Sequence, residues 1–158
     1  MANRYLLPVY KKLYERDFSY SEFDQRMEMQ KAVYLLQDMG VPVGDYGFRW
    51  YLHGPYSQSL QDDMHYESGR ACAELTLSKE YAESIARLHD VIHSDERGDY
   101  SISHWVECLA SLHYLRENLL SFNATMDEVV GELEKRKSHL SNHSTNVSAY
   151  QLVEGLFS

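Results

Sequence analysis

Two histidines at helical spacing are the residues whose types most directly suggest chemistry. His89 and His93 stand four residues apart in HDVIH, so a helix would place both imidazoles on one face, where they could hold a metal ion. The string lacks the glutamate that accompanies the histidine pair of zinc proteases, and no third ligand stands beside it. We therefore expect exposed histidines on an acidic helix face, with no metal and no cofactor.

The remaining reactive residues do not form a recognisable catalytic set. Cys72 and Cys108 are isolated, and Cys108 is expected to be a small buried apolar residue of a helix. The chain has no phosphate-binding glycine loop, no nucleophile elbow and no zinc-protease string. We expect that the protein is not an enzyme. A histidine-based enzyme stays as an alternative, which a buried His53 or His113 facing a polar pocket would favour.

The most distinctive segment is FRWYLHGPYSQSL, which combines aromatic residues with turn chemistry. Gly54 allows an unusual backbone angle, Pro55 fixes the next one, and Ser57 can cap the helix that follows. Two interpretations stay open: a rigid turn with a cap, or a recognition corner for a partner or an anion at a helix N-terminus. The residues that we expect to bind a partner are Trp50, Tyr51, His53, Gly54, Pro55, Tyr56 and Ser57.

Alternation within this segment separates the two sides of a predicted strand over residues 48–52. Phe48, Trp50 and Leu52 should point inward, whereas Tyr51 lies on the opposite face and is the better candidate for contact with a partner. Aromatic residues of this kind are favoured as interface anchors.

Apolar periodicity predicts a mainly α, compact helical fold in which residues 1–158 form a single domain. A second short strand is expected at residues 73–77. Ser78 and Ser103 are expected to cap helices, and Thr125 with Glu128 should form a capping box. The predicted helices cover residues 3–16, 22–39, 56–66, 79–93, 104–119, 125–137 and 146–157. The predicted apolar stripe of helix 104–119 is Trp105, Leu109, Leu112, Leu115 and Leu119, and the first four are expected in the core.

The net charge of −9 argues against nucleic acid as a partner, because neutralising phosphates provides most of that affinity. Residues 1–50 hold 7 basic and 7 acidic residues, whereas residues 51–100 hold 4 and 10. A basic protein partner fits this distribution better. The basic triplet at residues 135–137 is expected to complement a helix dipole. A DNA-binding face could come only from Lys11, Lys12, Arg16, Arg26, Lys31 and Arg49 clustering together.

Membrane and secretory segments are also not expected. No apolar run approaches the ~18 residues of a membrane span. Charge at Arg4 and Lys11 interrupts the N-terminal segment, which has no signal-peptide apolar region. We therefore expect a cytoplasmic protein.

Residues 25–64 resemble the core of the Panacea-type domain, a group that includes the SocA-like antitoxins and many phage-associated proteins. The pattern is a helix with K-x-x-Y-L, a glycine-bearing loop, an F-x-W strand, a G-P turn and a helix with a late leucine. A second stretch, residues 104–140, is similar to C-terminal helices of some prokaryotic relatives. The positions that carry the pattern are Lys31, Tyr34, Leu35, Phe48, Trp50, Gly54, Pro55, Ser57 and Leu60.

This resemblance implies a small helical intracellular protein with a winged-helix-like β-hairpin and no catalytic residues. Relatives of this type bind and neutralise a toxin, and SocA-like members deliver their toxin to a protease. We therefore expect an antitoxin-like protein-binding module, or one that otherwise acts in phage–bacterium conflict. The alternative is a winged-helix DNA-binding transcriptional regulator, although this chain is acidic and shows no added DNA-binding domain.

Overall fold

Helices make up most of the structure, a computed structural model that describes residues 3–158. Seven α-helices and one two-stranded hairpin lie within this range, which confirms the mainly α prediction. No helix among these residues is both long enough and apolar enough to span a bilayer. The elements are α1 Leu6–Tyr14, α2 Phe23–Asp38, β1 Arg49–Tyr51, β2 Gly54–Tyr56, α3 Gln58–Glu67, α4 Lys79–Ile92, α5 Ile102–Tyr114, α6 Met126–Arg136 and α7 His143–Gly155.

Helix α5 is the centre of the core. It packs against α2 on one side and α7 on the other, and nearly all of its residues are buried. Trp105 is fully buried and its indole N–H donates to the carbonyl of Val91 at 2.9 Å. The predicted stripe that continues through Leu109, Leu112 and Leu115 is also fully buried, as expected. Beyond Tyr114 the helix widens into a π-helical turn, Leu115–Leu119, and Leu119 is exposed, so the predicted stripe ends at Leu115.

Helix caps follow the local sequence in most places. Ser78 caps α4, and Thr125 with Glu128 forms the predicted capping box of α6. The prediction for Ser103 is wrong, because Ser101 caps α5 by accepting from the backbone N–H of His104. Only Ser101 has the extended backbone that a cap needs. Ser103 lies inside the helix, where its hydroxyl donates to the buried carboxylate of Glu28 at 2.6 Å.

The second strand is Gly54–Tyr56, and the prediction of a strand at residues 73–77 is wrong. Strand β1 pairs antiparallel with β2, so that Trp50 faces Pro55 and Tyr51 faces Gly54. Residues 73–77 have no regular structure. Gly54 has a φ of +89°, which lets the chain reverse within two residues and return at once as β2. Leu52 therefore lies in the turn and is 72% exposed, which contradicts its predicted inward position.

Candidate binding site at the hairpin

A cavity of about 230 Å³ lies between the N-terminal half of α2 and the hairpin. We refer to it as the hairpin pocket. Three of the residues expected to bind a partner, Tyr51, His53 and Tyr56, contribute to its wall. The pocket is lined by Phe23, Arg26, Met27, Gln30, Lys31, Tyr51, Leu52, His53, Tyr56 and Gln61.

The other expected partner-binding residues lie behind the pocket and support it. Gly54, Pro55 and Ser57 are buried. Trp50 is half-buried, with its ring centroid 5.8 Å from that of Tyr114 and 5.0 Å from the ammonium of Lys137. The predicted corner therefore has two parts. Its wall, Tyr51, His53 and Tyr56, is available to a partner. Its foundation, which includes Gly54, Pro55 and Ser57, is buried and is not available.

The mouth of the pocket is aromatic. Tyr51 is 56% exposed, and its ring centroid lies 5.3 Å from that of Tyr56 on the adjacent strand. Across the mouth, the ring of Phe23 meets the imidazole of His53 edge-on at 5.2 Å. Exposed aromatic rings beside a cavity give a partner a large contact area at a small loss of conformational entropy.

Buried polar side chains fix the hairpin in place. The side-chain amide of Gln30 donates to the carbonyl of Ser57 at 2.8 Å and accepts from the Ser57 N–H at 2.9 Å. Lys31 donates from Nζ to the carbonyl of Pro55 at 2.8 Å. Lys137 donates from Nζ to the carbonyl of Leu52. Because these donors come from α2 and from the end of α6, the hairpin is held from both sides.

Lys135 and Arg136 stand in the last turn of α6, where the helix-dipole interpretation places them, whereas Lys137 departs from that expected role. Its side chain is buried and not exposed at a helix end, and its Nζ lies 3.4 Å from the fully buried carboxylate of Glu107. His139 contacts the same carboxylate, with its Nε2 3.0 Å from Oε1. No pattern in the sequence indicates this pairing, since Glu107 stands in the apolar stretch of α5.

Burial dominates the electrostatics at the pocket floor. It lowers the pKa of Lys31 to about 7, although attraction to Glu107 opposes the shift and repulsion from Lys137 adds to it. Burial also lowers the pKa of His53 and that of Lys137. At neutral pH the Lys31 amine is therefore divided between its charged and neutral forms. The Lys31 amine at the floor of the pocket is a hydrogen-bond donor that loses its positive charge more readily than an exposed lysine does.

The size of the pocket suits a single anchoring side chain. Its volume lies below the range of about 300–1,000 Å³ that is typical of small-molecule sites. Arg26 stands at the rim, where its guanidinium lies 5.2 Å from the ring centroid of Tyr20 and 5.6 Å from that of Phe23. An aromatic side chain fits this combination of aromatic walls and a cationic rim.

The two histidines named for the enzyme alternative occupy different places in the structure. His113 is fully buried, but its Nε2 lies 2.6 Å from Asp38 and its Nδ1 3.3 Å from Glu154, and it does not line the hairpin pocket. His53 does line the pocket, yet no serine hydroxyl or cysteine thiol is among the lining side chains. Cys108 is buried as predicted, and burial raises the pKa of its thiol.

The basic residues that could have formed a DNA-binding face are partly taken up inside the fold. Lys31 is buried under the hairpin, and the guanidinium of Arg16 pairs with the buried carboxylate of Glu28. Lys11 lies 3.2 Å from Asp17. Lys31 is therefore not available to such a face, and Arg16 and Lys11 each have an acidic partner.

No family model, no curated protein and no solved structure matches this chain. The resemblance to the Panacea-type domain therefore rests on the motif residues themselves. Four of them, Lys31, Gly54, Pro55 and Ser57, lie together in the buried foundation of the hairpin.

Proposed function

We propose that this protein is an antitoxin-like protein-binding module that acts in the cytoplasm and holds its partner at the hairpin pocket. One observation carries the proposal: an exposed aromatic residue, Tyr51, stands beside a cavity on a hairpin whose backbone accepts hydrogen bonds from buried side chains. The role in phage–bacterium conflict rests on the resemblance of residues 25–64 to the Panacea-type domain.

Rigidity is what makes this surface suitable for binding. A loop that must become ordered on association loses affinity, whereas a preformed surface does not. The backbone of the hairpin is bonded at Leu52, Pro55 and Ser57 to buried side chains, so its exposed residues keep their places without a partner. Interfaces concentrate their binding energy in a few such aromatic anchors around a central pocket.

Charge indicates what kind of partner fits. Residues 51–100 carry 4 basic and 10 acidic residues, which favours a partner with a basic surface. The pocket itself has aromatic walls and a cationic rim at Arg26. We infer a basic protein partner that presents one aromatic side chain to the pocket.

The test uses the protein encoded beside this one, because antitoxins and toxins are often neighbours in families of this kind. The neighbouring product is expressed in a bacterial host, alone and together with this chain, and growth and complex formation are measured. The proposal expects that this chain restores growth and co-purifies with the neighbour in one complex. Unrestored growth with no complex would contradict it.

A matched pair of variants locates the interaction. Tyr51→Ala removes an exposed tyrosine at the pocket, and Tyr66→Ala removes one that is 47% exposed on α3, outside the pocket. Only Tyr51→Ala should weaken the rescue of growth. If both variants rescue growth as well as the wild type does, the complex does not use the pocket.

A further inference from the structure

A second cluster of functional groups lies outside the hairpin pocket, where the end of α1 meets α4. Glu15 and His89 are 74 residues apart in the chain, yet Oε2 of Glu15 lies 2.7 Å from Nε2 of His89. Nε2 of His93 lies 3.6 Å from the same oxygen. One ligand atom from each of the three residues falls within 4.8 Å of the other two.

The backbone aims the carboxylate at the histidines. Glu15 is the cap residue at the end of α1, with φ 60° and ψ 34°, and no other non-glycine residue within 3–158 has a positive φ. His89 and His93 are one helical turn apart on α4, and their ring centroids lie 4.4 Å apart. Two imidazoles and one carboxylate therefore converge from two elements.

These distances are close to those of a coordinated ion. Zinc lies about 2.0–2.1 Å from histidine nitrogen and about 2.0–2.2 Å from carboxylate oxygen, so neighbouring ligand atoms of a tetrahedral site are about 3.3 Å apart. The observed separations of 2.7 and 3.6 Å fall on either side of that value. Small side-chain movements would place all three ligand atoms within bonding distance of one ion.

We propose that Glu15, His89 and His93 form a site for a divalent transition metal, Zn²⁺ in particular, with the fourth position open to water. Imidazole and carboxylate are ligands that this ion accepts, and two histidines with one acidic residue make a three-ligand zinc site. His89 also contacts Asp90, whose Oδ1 lies 3.1 Å from Nδ1. A carboxylate on the far nitrogen orients a metal-bound imidazole.

Binding exchanges two hydrogen bonds for metal bonds, the first being the contact between Glu15 and His89 at 2.7 Å, whose shared proton is released. Nε2 of His93 now lies 2.8 Å from the carbonyl of Leu13, and it would leave that carbonyl to coordinate the ion. His89 and His93 are both about one-third exposed, so the ion has direct access from solvent. Because the ligands belong to α1 and α4, the metal would join the two helices and stabilise the folded state.

A second group of candidate ligands, His104, Glu107 and His139, fits a metal less well. One ligand atom from each also falls within 4.8 Å of the others. However, the carboxylate of Glu107 already pairs with the buried ammonium of Lys137 at 3.4 Å. A positive charge at that distance opposes a bound cation, whereas among residues 3–158 no lysine or arginine forms an ion pair with Glu15.

Titration of the chelator-treated full chain with ZnCl₂ by calorimetry tests the proposal. We expect one saturable Zn²⁺ per chain and a higher melting temperature with zinc than without. His93→Gln and Glu15→Gln should each weaken the affinity at least tenfold. The matched control is His139→Gln, which removes a ligand from the other cluster and should leave the affinity unchanged.

Cobalt provides a readout of the coordination itself. Co²⁺ bound to the wild type should give the visible absorption of tetrahedral coordination, which His93→Gln should remove while circular dichroism stays unchanged. The proposal is overturned by an absence of saturable Zn²⁺ binding in the wild type. It is equally overturned if His93→Gln binds as the wild type does, or if His139→Gln weakens binding as much as His93→Gln.

Discussion

Lys31 donates a hydrogen bond from its Nζ to the backbone carbonyl of Pro55, 24 residues further along the chain, at a distance of 2.8 Å. The lysine belongs to α2 and is 1% exposed, and the proline belongs to β2. This contact, with the two hydrogen bonds between Gln30 and Ser57, ties the hairpin to α2. The exposed wall of the pocket therefore keeps a fixed position relative to the core.

The buried amine should make stability depend on pH. Burial lowers the pKa of Lys31 to about 7 in the folded protein, against about 10.4 in an unfolded chain. Between these values the unfolded state binds more protons, so this group makes the free energy of unfolding rise with pH, by up to about 1.4 kcal/mol per pH unit. Lys31→Met should remove that part of the slope.

Urea denaturation at pH 7, 8 and 9 measures the slope for the wild type, for Lys31→Met and for the exposed control Lys12→Met. The range stops at pH 9 because burial raises the pKa of Tyr10, whose ionisation would act in the opposite direction at higher pH. Lys12→Met should keep the wild-type slope. An equally steep slope in Lys31→Met would show that the amine is not held as the structure indicates.

Gly54→Ala should destabilise the fold more than Gly40→Ala. Both glycines have φ of +89°, so both substitutions carry the left-handed penalty of about 1–2 kcal/mol. A Cβ at Gly40 would enter open space, whereas one at Gly54 would overlap the hydroxyl of Ser111. That overlap should add about 1–3 kcal/mol, as overpacking does in other cores.

Chemical denaturation of both glycine variants gives this difference directly. The Ser111 hydroxyl is buried and has no hydrogen-bond partner among residues 3–158, so Ser111→Ala leaves no lost bond behind. The double variant Gly54→Ala, Ser111→Ala should regain most of the added loss. Equal destabilisation by the two single glycine variants would mean that β2 does not press against α5.

Generic duplex DNA should not bind at physiological salt. The chain has a net charge of −9, and Lys31 and Arg16 are engaged with groups inside the fold. The acidic excess repels a phosphate backbone, and these two cations are not free to release its counterions. An electrophoretic shift assay at micromolar protein, with a basic DNA-binding protein as positive control, should show free DNA only. A shift that weakens steeply with added salt would instead support the DNA-binding regulator.

Local signals in the sequence were enough to predict most of the helices. The caps at Ser78 and at Thr125 act on residues three positions further along the chain, so the local sequence is sufficient to predict them. The position of β2 was not predictable in this way. It depends on Gly54 adopting a positive φ directly after a two-residue turn. It also depends on polar side chains of α2 that form hydrogen bonds with the strand.

The candidate site was predictable only in its exposed half. Alternation along β1 identified Tyr51 as the residue facing away from the core, which the structure confirms. Gln30 and Lys31 look like polar-face residues of α2, yet both are buried, because the hairpin covers the helix there. The pairing of Lys137 with Glu107 joins α5 to the end of α6, and no spacing in the sequence indicates it.

The affinity of Tyr51→Ala for the co-purified partner, measured by calorimetry beside wild type and Tyr66→Ala, tests the central claim most directly. Because Tyr51 is 56% exposed, the variant should keep the wild-type melting temperature. Its binding should be weaker than that of the wild type by more than ~1 kcal/mol, the loss expected for an anchoring aromatic residue, while Tyr66→Ala binds as the wild type does. A folded Tyr51→Ala variant with unchanged affinity would contradict the account of the hairpin pocket as the recognition site.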